Sequence, residues 1–134
     1  MRIIQEDEST QINLILITYI VAQTEAYISE ARKILKRVQG YQSQPELMML
    51  SAQDFSFLKD PKKIILHWEE IKQTRHLLLH TNGLIDSDYI AKSGEIARGT
   101  LGTQIEVSRD YLEYCMKITK SLIGKIASHF KLKH

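Results

Sequence analysis

Between Thr10 and Gln39 the chain carries neither glycine nor proline. A stretch that long and unbroken reads as one α-helix, since strands in globular proteins average only about 5–6 residues. Ser9 or Thr10 can cap its start, and Gly40 ends it. Apolar residues crowd its first half (Ile12, Leu14, Ile15, Leu16, Ile17), which is expected to be buried on several sides. They thin to Tyr27, Ala31, Ile34, Leu35 and Val38, with Arg32, Lys33, Lys36 and Arg37 facing water in an amphipathic second half.

The whole sequence of 134 residues has two prolines and six glycines, so other helices are expected to follow. Gly40 to Gln44 reads as a connector, and Pro45 opens a short helix through Ala52. Asp60 and Pro61 mark a strong helix start, closed near Thr81 by Asn82 and Gly83, which tolerate the left-handed backbone of helix ends. Asp86 caps a short helix over residues 87–93. Residues 94–102 read as a loop and 103–107 as a short extended piece. Ser108 caps a last helix to about Leu132, with Tyr111, Cys115, Ile118, Leu122 and Ile126 as its apolar stripe. The expected fold is a single all-α domain over residues 1–134, an up-and-down bundle of four to five helices.

Composition excludes several classes. The run Ile12–Ala22 is shorter than the ~20 residues a bilayer needs, and the acids Glu6, Asp7 and Glu8 precede it, unlike a signal peptide. A buried helix and no membrane partner are expected. Cys115 is a lone cysteine and can form no internal disulfide, which fits a reducing, cytoplasmic setting. Net charge is +2, and Lys117, Lys120, Lys125, Lys131 and Lys133 make the C-terminal third basic. That reads as a solvated helix face or as a weak attraction for anions. Neither a phosphate-binding glycine loop nor a G-x-S-x-G segment occurs.

The helix from Pro61 to Thr81 is the informative one. At about 100° per residue, Ile64, Trp68, Ile71, Leu78 and Leu79 share a face, and Arg75 falls within it. A guanidinium there is costly unless paired or open to an anion. Glu69, Gln73, His76 and His80 share the flank, and Arg75 and His80 project about 140° apart. Three uses remain open. Arg75 can pair with Glu25 while His80 interacts with the helix C-terminus. His76 and His80, at i and i+4, can hold a metal, with Glu69 as a third ligand. Or Arg75 and the histidines serve an anionic substrate. Tyr111 and Tyr114 read as core or rim aromatics, and His67, His129 and His134 as surface residues.

Arg75, the polar His76, three leucines and His80 at a helix end resemble the R-x(4–6)-H motif of HEPN domains. The trailing NGLIDSDYI, the later GTQIEV and an acid in the first helix at Glu25 fit the same layout. The resemblance implies a HEPN-like bundle, usually a homodimer with motif helices face to face. It implies a metal-independent ribonuclease of toxin or phage-defence type, with RNA as partner, possible control by an antitoxin or other regulatory protein, and no cofactor or metal. Arg75, His76 and His80 would be catalytic, with Glu25 and Asn82 in support. A silent HEPN-like module that binds nucleotide, RNA or protein is the alternative, as is an unrelated helical bundle.

Overall fold

The computed structural model describes residues 2–39 and 61–130, with side chains over 11–31, 33–34 and 63–129. The described chain is all-α: α1 (Arg2–Gln39), α2 (Pro61–His80), α3 (Ser87–Ser93), a single 3-10 turn (Gly94–Ile96) and α4 (Arg109–Phe130). The expected connector at 40–44, the short helix at 45–52, the Asp60 cap and residues 131–134, with His134, lie outside the described residues.

The expected start of the first helix at Ser9 or Thr10 is corrected: α1 begins at Arg2. Nothing between Arg2 and Gln39 breaks a helix, and serine or threonine inside one costs well under 1 kcal/mol per residue. The other caps form as the sequence suggests. The Asp86 side chain accepts from the Tyr89 N–H at 2.9 Å, and Ser108 Oγ accepts from the Tyr111 N–H at 3.1 Å. At the end of α2 the Gly83 N–H returns to the Leu77 carbonyl (2.9 Å). Asn82 and Gly83 both take positive φ there, at 53° and 84°. The positive φ is what favours glycine at position 83, while a Cβ there would also displace the flexible end of the Gln104 side chain.

The main core lies between α1, α2 and α4. Ile17, Val21 and Ile28 pack with Trp68 and Ile71, and with Cys115, Leu122 and Ile126. A smaller core of Leu77, Ile85, Tyr89 and Ile105 docks α3 and the 94–107 segment onto the other side of α2. The expected extended piece forms one antiparallel bridge, Leu84 to Gln104, and no longer strand among the described residues. Contacts of Tyr111 with Glu70 and of Tyr114 with His67 step forward along α4 and backward along α2, so these helices are antiparallel.

The expectation that the first half of α1 is buried on several sides is corrected. Ile17, Val21 and Thr24 are buried, but Ile12, Ile15, Leu16 and Tyr19 stand 56%, 66%, 43% and 63% exposed. A helix packed against two neighbours has only one side to bury, and no described element covers the other. By length and composition, Gln11–Ala31 could also cross a bilayer, with a mean hydropathy of 1.3. One side of this stretch is nonetheless engaged in protein packing through Ile17, Val21 and Ile28.

Candidate functional site

Arg75 leaves α2 toward α1, where Nη1 lies 3.4 Å from Glu25 Oε1. Both side chains are about one-third exposed, so the pair sits at the rim of the core rather than in it. This corrects the placement of Arg75 on the core face: the bulk of Trp68 and Ile71 takes that position, and the long arginine stem carries its charge to the edge. Leu79, assigned to the same face, is half exposed. Arg75 Nε is buried and finds no hydrogen-bond partner among the described residues.

Beside this pair lies an open cleft of about 580 Å³. Glu25 of α1, five residues of α2 (Glu69, Lys72, Gln73, Arg75, His76) and Lys92 of α3 line it. Of the two histidines, it is therefore His76, and not His80, that shares this cleft with Arg75. His80 is exposed and outside that lining, but its ring lies 4.4 Å from that of His76, centroid to centroid. Asn82 is exposed, and its carbonyl accepts from Gln104 Nε2 at 2.6 Å, so its observed part is in closing α2. Within the cleft Lys72 pairs with Glu69 at 2.8 Å and lies over the Trp68 ring. No group of three or more His, Cys, Asp or Glu comes together among the described residues, so Glu69 does not complete a donor set with His76 and His80.

A second face of α2 carries a buried polar cluster that the sequence reading missed. Glu70 is 1% exposed. Its Oε1 accepts from Tyr111 Oη (2.6 Å) and its Oε2 from Tyr89 Oη (2.6 Å). Thr74 Oγ1 and Arg98 Nε also donate to Oε2, at 2.9 and 3.0 Å. Arg98 lies over the Tyr111 ring, reaches Thr74 with Nη2 and the Glu106 carbonyl with Nη1, and gives its backbone N–H to Tyr89 Oη. Burial, reinforced by the Glu70 hydrogen bond, pushes the Tyr89 phenol up to about 12. Burial and the Glu70 charge likewise raise Tyr111, so both remain hydrogen-bond donors at neutral pH. Burial alone would lower the Arg98 guanidinium, but Tyr111 and Glu70 outweigh it and hold it above its usual range.

A trace of this cluster was legible. Glu70, Thr74, Leu77 and Thr81 follow i, i+4, i+7 and i+11 spacing, a second inward face on α2. Its partners Tyr89, Arg98 and Tyr111 come from three later segments, and no local pattern joins them. Two other side chains need restating. His67, expected at the surface, is half-buried, with Nδ1 hydrogen-bonded to Tyr114 Oη. Cys115 is buried as expected, and burial pushes its thiol up to about 12, far from the reactive thiolate range.

No family model, curated protein or solved structure matches the chain.

Proposed function

We propose that this chain is a metal-independent endoribonuclease whose site is built from Arg75, His76 and His80, completed by pairing of two protomers. The observation that carries the reading is the sharing of one cleft by Arg75 and His76, with the His80 ring against His76. The resemblance of residues 75–90 to the HEPN motif supports it. Cleavage within RNA needs a base for the 2′-hydroxyl, a cation for the charge on phosphorus and an acid for the departing 5′-oxygen. Imidazoles suit both proton transfers near neutral pH, and a guanidinium fits phosphate oxygens. One histidine takes the 2′-hydroxyl proton as the 2′-oxygen bonds to phosphorus. The bond to the 5′-oxygen breaks, and a second imidazolium supplies that oxygen's proton. The products are a 2′,3′-cyclic phosphate and a 5′-hydroxyl.

Pairing is supported by the apolar stripe of α1. Ile12, Ile15, Leu16 and Tyr19 repeat at i, i+3, i+4 and i+7 with no charge among them. On α2, Leu79, directly before His80, is also an exposed apolar residue. Contiguous exposed patches beyond a few hundred Å² usually mark interfaces. A second copy offers the same uncharged stripe, and a two-fold contact over it is self-complementary. The setting proposed is cytoplasmic, in toxin or phage defence, with an antitoxin or other regulatory protein as a further partner.

One observation favours a second reading. The Glu25–Arg75 ion pair occupies the charge that an RNA phosphate would use. If that pair is permanent, the chain is a silent HEPN-like binding and dimerisation module. Incubation with labelled RNA in EDTA separates the two: cleavage lost in Arg75→Ala and His80→Ala supports the enzyme, and binding without cleavage supports the module.

A further inference from the structure

The cleft beside Arg75 has an uneven charge account. It holds three cations, Lys72, Arg75 and Lys92, and two carboxylates, Glu25 and Glu69. Each carboxylate is already committed, Glu25 to Arg75 and Glu69 to Lys72. Lys72 is further held over the Trp68 ring. Lys92 is exposed and enters no ion pair among the described residues. The cleft therefore carries one unmatched positive charge, and it sits on α3 rather than on the motif helix.

The backbone beneath Lys92 is well fixed. Asp86 caps the start of α3, and Tyr89 anchors its middle to the buried Glu70. Ser93, the next residue, is fully buried. A seven-residue helix would hold no shape alone, but this one is clamped onto α2 and, among the described residues, makes no contact with α1. Its lysine thus lines the same cleft as Glu25 of α1 and the five α2 residues. A lysine is a flexible point charge, suited to a phosphate that must be held without strict orientation.

We propose that Lys92 is a substrate-binding residue, the contact for a backbone phosphate next to the one that Arg75 serves, so that a single strand of RNA lies across the cleft from α2 to α3. This rests on the ribonuclease reading for the identity of the strand. The contact is to phosphate alone and independent of base sequence. Holding the strand at a second point also fixes which phosphodiester faces Arg75 and His76. The plainer role for Lys92 is to offset the negative C-terminal end of α3, and that role involves no RNA.

The test uses a fluorescein-labelled single-stranded 2′-O-methyl RNA, which has no free 2′-hydroxyl and cannot be cut. Its binding is measured by anisotropy over a range of KCl, for wild type, Lys92→Ala and Lys92→Arg. Loss of one phosphate contact should flatten the slope of log affinity against log salt by about 0.7. Lys92→Arg should restore the slope, and all three proteins should share one urea midpoint. With cleavable RNA, Lys92→Ala should raise KM more than it lowers kcat. Equal binding and equal slopes for wild type and Lys92→Ala would overturn the proposal. So would a lowered urea midpoint with unchanged binding, which is the signature of the helix-end role. A slope that depends on Lys92 in a protein that cuts nothing would uphold this contact and sink the ribonuclease reading. Cleavage indifferent to Lys92 would do the reverse.

Discussion

His67 shows how one side chain on α2 ties stability to pH. Burial lowers its imidazole below the ordinary value, Lys63 adds to the effect, and the Glu70 charge opposes it. The partner on α4 is Tyr114, whose phenol burial raises, so the phenol keeps its proton and can donate to an unprotonated Nδ1. Protonating His67 would remove that acceptor. The folded protein therefore binds fewer protons here than the unfolded chain does. The resulting stability is present above the unfolded histidine value near 6.5 and is lost as pH falls through the lower folded value. The urea midpoint of wild type should fall between about pH 7 and pH 5, and that of His67→Gln should fall less. Parallel curves for the two proteins would refute this role for His67. The residue reads as surface in the sequence because position 67 lies off the main stripe of α2, and only the arrival of α4 covers it.

At the scale of elements, α2 is held from two sides by different means. Its α1 and α4 side uses apolar packing around Trp68. The second means is Glu70, which gathers Tyr89 from α3, Arg98 from the following loop and, again from α4, Tyr111. Removing one donor leaves a buried carboxylate oxygen short of a partner. Tyr111→Phe should cost about 1.5–3 kcal/mol, the range for hydrogen bonds to charged groups. Urea unfolding measures it, and a loss under about 0.5 kcal/mol, within the usual range for neutral surface changes, would show that the cluster does not clamp these elements. The sequence located α2, α3 and α4 through local signals: Pro61, the Asp86 cap, the Ser108 cap and the turn at Asn82 and Gly83. It did not reveal Arg98, because an arginine in a glycine-flanked loop looks like a solvent residue until its distant carboxylate is known. The start of α1 was misplaced for the opposite reason, since a capping residue was present but no break in the helix was.

For the whole molecule, the all-α class followed from long unbroken periodic segments, and the outward stripe of α1 did not. Apolar density alone cannot tell a helix buried all round from one waiting for a second copy. If the stripe is the pairing surface, Tyr19→Glu, alone or with Ile15→Glu, should convert a dimer to a monomer in sedimentation. Both positions are more than half exposed, so the monomer should remain folded. A wild type that sediments as a monomer at all concentrations would remove the basis for a shared site. The flank of Glu69, Gln73 and His76 and the pairing of Arg75 with Glu25 were legible, but the arrival of Lys92 beside them was not. The ring contact of His76 and His80 agrees with i, i+4 spacing, whereas the cleft needs Lys92 from another helix. The most direct test of the central claim is incubation of purified protein with labelled RNA in EDTA, comparing wild type with Arg75→Ala and His80→Ala. The expected result is cleavage by wild type to cyclic-phosphate ends and a loss of at least about 100-fold in each variant, the scale on which general acid–base catalysis contributes. Full cleavage by folded His80→Ala protein, or none by wild type on several RNAs, would contradict it.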